Sequence, residues 1–531
     1  VDLEIKKKDR LLKWFRKYHK WPGLIFALFI LLFSVSGIVL NHRDLFSSID
    51  VNRKWLPSNY RYANWNLAAV KSAVSLPDDS LLIFGNIGVW KTDSNFTRFR
   101  DFNKGFPIGI DNRKIYSLLS TRNHRLLAGT LFGLYEYSDG WRKINLPVDE
   151  ERIVKVLEKN DSLIVMTRSY ILNANINDNV FKFSKIKVPA GIDSNDKVGL
   201  FRTLWVIHSG EIYGIVGKLL VDLVGLLFIL ITLSGIFYWF APHLIKRVKE
   251  SSKTGMRKVN RFSLKWHNRL GSWAIIILLL TTMTGVFLRP PLLIPIAYTE
   301  ITKIKYSKLD DPNPWADKFR DLLYDEEIKR YIVVTSDGIY YSDNDFGSVL
   351  QKYAEQPPVS IMGINGFEKL SKGEYLVGSF YGLFRWVPEK GIIQDNVTKL
   401  AFDPSSLEGS PFGAVAVAGF IGKGEGRRFV FDYSGGAIPL GKSGKFPAMS
   451  DDIIKKSPIS LWNLALEIHT GRIWEFLIGP FYILIVPLTG LTSVLILITG
   501  FFAWYIPYRR MQKSKKRING ASHHLYIKTN E

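Results

Sequence analysis

Four of the nine histidines in this 531-residue chain occupy matched positions. In KYHKWPGLIFALFILLFSVSGIVL, His19 is followed by Gly23 and then Gly37; in KWHNRLGSWAIIILLLTTMTGVFL, His267 is followed by Gly271 and Gly285 at the same offsets. A second pair of segments aligns His208 with His469: VIHSGEIYG…ITLSGIFYWFAP and EIHTGRIWE…ILITGFFAWYIP also match Gly210 with Gly471, Gly235 with Gly500, Trp239 with Trp504 and Pro242 with Pro507. The interval from histidine to the later glycine is 27 residues in one copy and 31 in the other, a difference of about one helical turn. Imidazoles facing each other from two helices in an apolar setting can ligate a haem iron from both sides, which gives a low-spin electron-transfer centre. An isolated histidine at a membrane interface is more often an anchor. Two pairs at fixed offsets from glycines favour ligation, because ionisable groups at membrane depth are costly and functional by default. His19 with His267 and His208 with His469 are therefore the candidate axial ligands of two b haems.

Three further residues belong to this reading. His42 lies 23 residues after His19, about 34 Å along a helix and so at the opposite face; its repeat partner is Pro290. It would replace one member of the outer pair, bind substrate, or meet a haem propionate. Arg472 follows His469 and would neutralise a propionate, with surface anchoring as the plainer role. Lys218 and Asp222 are four residues apart and so can pair on one helix face. The glycines are read as places where a flat macrocycle or a neighbouring helix approaches the backbone. His124, His243, His523 and His524 read as solvated.

The chain contains no cysteine, which excludes disulfides, thiolate-held iron–sulfur clusters, CxxC redox motifs and thioether-bound haem. A strand–GxGxxG–helix unit, HExxH and GxSxG are also missing, so a bound dinucleotide and familiar hydrolase chemistry are not expected.

The histidines need helices to hold them. Four apolar runs, Trp21 to Leu40, Leu219 to Ala241, Gly271 to Leu288 and Phe476 to Pro507, approach or exceed the roughly 20 residues that cross a bilayer. The fourth is long, and Gly479-Pro480 with Pro487 suggests a kink or an interfacial first turn. The net charge of +23 is concentrated in three segments, 1–20, 243–269 and 508–531, which hold 24 of the 71 basic residues and 5 of the 48 acidic ones. Such segments stay cytoplasmic. The charge therefore reads as topology and contact with the lipid bilayer, not as a nucleic-acid site. The expected layout is a basic N-terminus 1–20, a span 21–42, the first half of an external β domain 43–207, a span 208–241, a basic loop 242–266, a span 267–290, the second half of the external domain 291–468, a span 469–507 and a basic tail 508–531. Each half is a span, an external segment and a second span, so the halves are parallel repeats about an axis along the membrane normal. The first span has no A-x-A-like cleavage site after it and reads as an anchor.

The external segments repeat as well. LLAGTLFGLYEY (126–137) matches YLVGSFYGLFRW (375–386), and LIFGNIGVW (82–90) resembles VVTSDGIYY (333–341); Gly88 to Gly133 is 45 residues and Gly338 to Gly382 is 44. Short strands, a glycine turn and an aromatic strand at this period indicate propeller blades. LIVMTRSYIL and RFVFDYSGGAI look like further, degenerate copies. The fold class expected is thus a membrane α-helical protein, a four-helix transmembrane bundle of two parallel repeats, with an external all-β propeller-like domain; two separate β domains are the alternative.

At YHKWPGL…SVSGIVL, IHSGEIYG…TLSGIFYW, WHNRLGS…TMTGVFL and IHTGRIW…LITGFFAWY the chain resembles the PepSY-associated transmembrane helix family. The resemblance covers all four apolar runs. That family includes inner-membrane ferric-siderophore reductases, dihaem b-type proteins that pass electrons outward to iron(III). The resemblance implies a bacterial inner-membrane location with periplasmic domains and cytoplasmic termini, and ligand roles for His19, His267, His208 and His469. It also implies a periplasmic acceptor such as a ferric siderophore. With no dinucleotide site, the electron donor would be a quinol or a separate cytoplasmic reductase. The β segments exceed the small domains expected in the family, which leaves the substrate open. A membrane-anchored sensor or scaffold, binding a protein partner through its β domain, is the competing reading.

Overall fold

The computed structural model describes residues 2–149, 152–297, 299–359, 363–407, 413–422, 428–441 and 443–528; the side chains of 2–8, 513 and 515–528, including His523 and His524, lie outside that description. The chain divides into two units, one of residues 1–43, 196–310 and 462–531, the other of residues 44–195 and 311–461.

The first unit is helical. Its main elements are α1 (Asp2–Asn41), α2 (Leu200–His208), α3 (Gly214–Arg247), α4 (Glu250–Trp273), α5 (Ile275–Val286), α6 (Leu461–His469, whose first residue falls in the other unit) and α7 (Ile485–Lys528). Three stretches are long and apolar enough to cross a membrane: Asp9–Asn41, Glu211–Arg247 and Arg472–Gln512. Their outward faces carry bare hydrocarbon, with Ile25 68% and Val216 72% exposed. Side chains of that kind are at home in lipid. The protein is a membrane protein.

The expected four-helix bundle is corrected here. The third apolar run is not a straight span: α4 and α5 meet at Ala274 with a bend of 68° and count as one crossing only if taken together. The reason is length. α5 has 12 residues, about 18 Å of helix, well short of the hydrocarbon thickness. α4 is polar for most of its course, so the basic segment expected as a loop at 242–266 is largely helix. The fourth run begins with a helical turn, Glu475–Ile478, and a 3-10 stretch, Gly479–Leu484, before α7 sets off at Ile485. The helix therefore breaks at Gly479-Pro480, where a kink or an interfacial first turn is expected. A small ladder, Lys197–Gly199 against Glu300–Thr302, closes this unit.

The second unit is built from antiparallel β structure. Within 72–101, 115–144, 153–186, 319–352 and 366–395 the chain forms a four-stranded meander, and within 417–440 a three-stranded one. The repeated glycine motif is the hairpin between the second and third strands of a meander. Gly85 pairs with Gly88, Thr130 with Gly133, Thr335 with Gly338 and Ser379 with Gly382. Gly133 and Gly382 take φ values of 142° and 149° there, which only glycine adopts without strain. The two degenerate copies are hairpins too, Ser162–Thr167 with Ile171–Asn175 and Arg428–Asp432 with Gly436–Leu440. Neighbouring meanders share apolar side chains, as Leu82 and Val89 do with Ala128 and Tyr135.

The propeller-like domain is the second part of the correction. The sheets are small and separate, and among the described residues they form no closed barrel or propeller. A period of 45 residues dictates a meander, because hairpin turns and strand alternation are local. How meanders associate is not written in the period.

Candidate functional site

The helical unit brings the four repeated histidines together two by two. The rings of His19 on α1 and His267 on α4 are 5.8 Å apart between centroids, at 68°. Those of His208, the last residue of α2, and His469, the last residue of α6, are 6.0 Å apart at 51°. His208 and His469 thus lie just before the apolar stretches Glu211–Arg247 and Arg472–Gln512. Each ends a short helix stopped by a left-handed glycine, Gly210 (φ 77°) or Gly471 (φ 74°). In the second copy the helical turn Glu475–Ile478 accounts for the longer histidine-to-glycine interval.

All four imidazoles are held in the same way. His19 Nδ1 lies 2.9 Å from the carbonyl oxygen of Ile496, His267 Nδ1 2.9 Å from that of Ile231, His208 Nδ1 2.9 Å from that of Thr281 and His469 Nδ1 3.0 Å from that of Phe33. Each carbonyl belongs to the residue four before a glycine on another helix: Gly500, Gly235, Gly285 and Gly37. The ring lies over that glycine. A Cβ built on Gly500 would stand 2.6 Å from His19 Cε1, on Gly235 3.1 Å from His267 Cε1, on Gly285 2.6 Å from His208 Cε1 and on Gly37 3.3 Å from His469 Cε1. The preceding Ser or Thr completes the cradle: Ser36 Oγ is 3.0 Å from His469 Nδ1 and Ser234 Oγ 3.1 Å from His267 Nδ1. The glycines that sequence reasoning left to a macrocycle or to helix packing are therefore seats for the histidine rings.

The chemistry of this cradle is specific. A carbonyl oxygen only accepts, so Nδ1 must carry the proton in each ring and Nε2 keeps its lone pair. Among the described residues no group hydrogen-bonds to any of the four Nε2 atoms. Locking a tautomer through a backbone carbonyl is the usual outer support of a metal-ligating imidazole. Two metal–nitrogen bonds of about 2 Å, plus about 1 Å from each nitrogen to its ring centre, place the centroids of two trans imidazoles about 6 Å apart, and the observed 5.8 and 6.0 Å match. No cluster of three or more His, Cys, Asp or Glu side chains occurs among the described residues. A bare ion generally takes more protein ligands than two, so the pairs fit a centre whose remaining ligands come from a macrocycle.

The other sequence-predicted residues go elsewhere. His42 Nε2 is 2.6 Å from Asp222 Oδ2, and Asn41 Nδ2 donates to Asp222 Oδ1 at 2.9 Å. His42 does not replace a member of the outer pair. Asp222 is thereby taken from Lys218, whose ammonium instead lies 3.2 Å from Glu211. Arg472 is engaged by the buried Glu467, its Nε donating to Oε2 at 2.6 Å. Arg289, just past the third apolar run, is also engaged here. Its Nη2 donates to the Thr470 carbonyl at 3.2 Å, one residue after His469, while its buried Nε meets no acceptor among the described residues.

Comparison with known proteins agrees with the helical unit. The model of the PepSY-associated TM region matches twice, over residues 3–241 and 187–506, and the chain belongs to this family. The two matches overlap at residues 187–241, the part that holds His208 and the second apolar run. No match is found among curated proteins. Among solved structures the chain is similar to the extracellular domain of BT4673 from B. thetaiotaomicron, described as a hybrid two component system. The identity is 10% over 69% of this chain and 32% of that one, with a TM-score of 0.35. A second structure of that domain, described as a one component system, matches at 11% identity over 70% and 32% with a TM-score of 0.33. The extracellular domain of BT3049 from the same organism matches at 10% over 71% and 40% with a TM-score of 0.32. The chain spans well under half the length of these structures.

Proposed function

We propose that this membrane protein carries electrons across the bilayer on two b haems, one between His19 and His267 and one between His208 and His469. They pass to an acceptor on the side of the β unit, with ferric iron held by a siderophore as the leading substrate. The observation that supports this most is the fourfold cradle. Four imidazoles, each with Nδ1 on a backbone carbonyl and Cε1 on a glycine, form two pairs that would hold the two haems, their ring centroids 5.8 and 6.0 Å apart.

When bound, haem supplies a one-electron couple, low-spin with histidine on both faces. The protein's residues do the rest. The carbonyls of Ile496, Ile231, Thr281 and Phe33 fix the tautomer and raise the donor strength of Nε2. Phe15 stacked on Phe502, and Phe33 beside His469, provide apolar surroundings. Arg289 has a donor to spare for a carboxylate near His469. The charge of the three basic segments favours a cytoplasmic side for the termini and the central segment, and the family resemblance favours a bacterial inner membrane. The donor is then a quinol or a separate reductase on that side.

The test is the visible spectrum of purified protein made with haem in supply. A b-type Soret and α band, with about two haems per chain, is expected. Substituting Ala for both His19 and His267 should remove one haem and spare the other. Colourless wild-type protein overturns the reading and favours a membrane-anchored scaffold; retention of both haems in the double variant overturns the pairing.

A further inference from the structure

The first strand of several meanders in the β unit opens with a break in register. The irregularity falls between Ile115 and Ser117, between Ile153 and Lys155, between Phe319 and Asp321 and between Val417 and Gly419. A bulge re-aims side chains, and bulges gather beside binding sites. Here the residues at these strand openings converge. Lys71, one residue before Ser72, has its ammonium 5.6 Å from the centre of the Tyr116 ring. The Arg152 guanidinium is 4.9 Å from the same ring. Lys155 lies 3.0 Å from the buried Asp321.

Two cations thus meet at one aromatic ring, and a third sits on a buried carboxylate close enough for Lys71 to feel both. Asp321 is spoken for, since it bonds Lys155 and accepts from the Leu322 amide at 2.8 Å. Among the described residues no carboxylate pairs with Lys71 or Arg152. The Lys71 backbone is fixed by its bonds with Phe84 and Phe420, so its side chain starts from a rigid point. Burial pushes the Lys71 ammonium below its ordinary value; Asp321 opposes this, and Lys155 and Arg152 reinforce it. Like charges held together in a partly buried place are unfavourable unless an anion joins them.

We infer that Lys71 and Arg152 at the Tyr116 ring, with Lys155 beside them on Asp321, form a binding site for a small oxyanion carrying about two negative charges, a polycarboxylate or a phosphate. Arg152 offers a planar fork to paired oxygens, Lys71 a point charge, and the Tyr116 ring a floor. This site belongs wholly to the β unit and does not depend on the histidine pairs.

Isothermal titration of the full-length protein in detergent, at low ionic strength, with citrate and separately with inorganic phosphate, tests it. One saturable site tighter than about 1 mM is expected for at least one probe, and the two titrations tell the carboxylate from the phosphate class. Arg152→Gln and Lys71→Met should each weaken it tenfold or more with the visible spectrum unchanged. If Lys71→Met does not fold, Asp321→Asn reads the site in the opposite sense, tightening binding by removing the competing carboxylate. Binding of neither probe overturns the inference, as does binding that survives Arg152→Gln or does not tighten in Asp321→Asn.

Discussion

Gly500 leaves the space that the His19 ring fills: a Cβ there would stand 2.6 Å from His19 Cε1 and 2.7 Å from Nδ1, and the carbonyl four residues earlier receives the Nδ1 proton. A methyl group at this point cannot coexist with the present ring position. His19 is a side chain and can swing, so the helix survives while the imidazole leaves its carbonyl. Gly500→Ala should therefore weaken inner haem retention by the ~10–100-fold typical of lost outer-shell support. Gly285→Ala, equally tight against His208, should do the same to the outer haem. Gly37→Ala, with 3.3 Å to His469 Cε1, asks the ring to give by only a few tenths of an ångström and should have a clearly smaller effect. Haem-to-protein ratios after detergent washing rank the three. An effect of Gly37→Ala equal to that of Gly500→Ala would refute the steric account.

The histidine pairing was legible in the sequence because a duplication repeats it, and a repeated offset survives any amount of surrounding drift. The glycine that seats each ring was not legible. His19 meets Gly500 and His469 meets Gly37 across more than 400 residues, and no local period encodes such a partner. The Ser-Gly and Thr-Gly pairs were the available signal, since a small residue with a hydroxyl before it is what a hydrogen-bonded ring requires. The same limit explains the two errors of fold. The hairpins at Gly133 and Gly382 are local and were read correctly. The bend at Ala274 and the association of the meanders depend on packing that residue periodicity does not carry.

His42 is the residue on which the sequence left most open, and its partner decides its role. With Nε2 on Asp222 at 2.6 Å it holds α1 to α3 near the ends of their spans, together with Asn41. His42→Ala should keep the full haem content, since His208 and His469 already face each other. Asp222→Ala, which leaves two polar side chains without their shared acceptor, should lower thermal stability by about 1–3 kcal/mol and likewise spare the spectrum. Loss of the outer haem in His42→Ala would return His42 to the ligand set.

Two arginines stand near the outer pair, and their partners separate them. Arg472 is held by Glu467, whereas Arg289, beside the Thr470 carbonyl, keeps a buried Nε that meets no acceptor among the described residues. A carboxylate of a bound cofactor would complete Arg289. Arg289→Leu should lower outer haem retention, and Arg472→Leu should chiefly cost stability by taking the guanidinium from the buried Glu467 carboxylate. Haem content and melting temperature, measured on both variants, distinguish the roles; the reverse pattern would hand the propionate to Arg472.

Acid should loosen the β unit through Asp325. This buried carboxylate bonds Lys369 at 2.6 Å and the Tyr375 hydroxyl at 2.8 Å and accepts from the Gly373 and Glu327 amides. Burial pushes its pKa up, but these donors outweigh burial and hold it below the ordinary 3.8. In the unfolded chain the group takes its proton near 3.8, so the folded state binds fewer protons between the two values. The stabilisation is therefore complete above about pH 4 and fades as pH falls through the lower, folded value. Asp325→Asn, which keeps the shape and loses the charge, should cost about 2 kcal/mol at pH 7, and the difference should shrink as pH falls below about 4. Circular dichroism melts of both proteins across that range check the sign. A difference that grows toward acid would show that the Asp325 carboxyl is protonated in the folded protein.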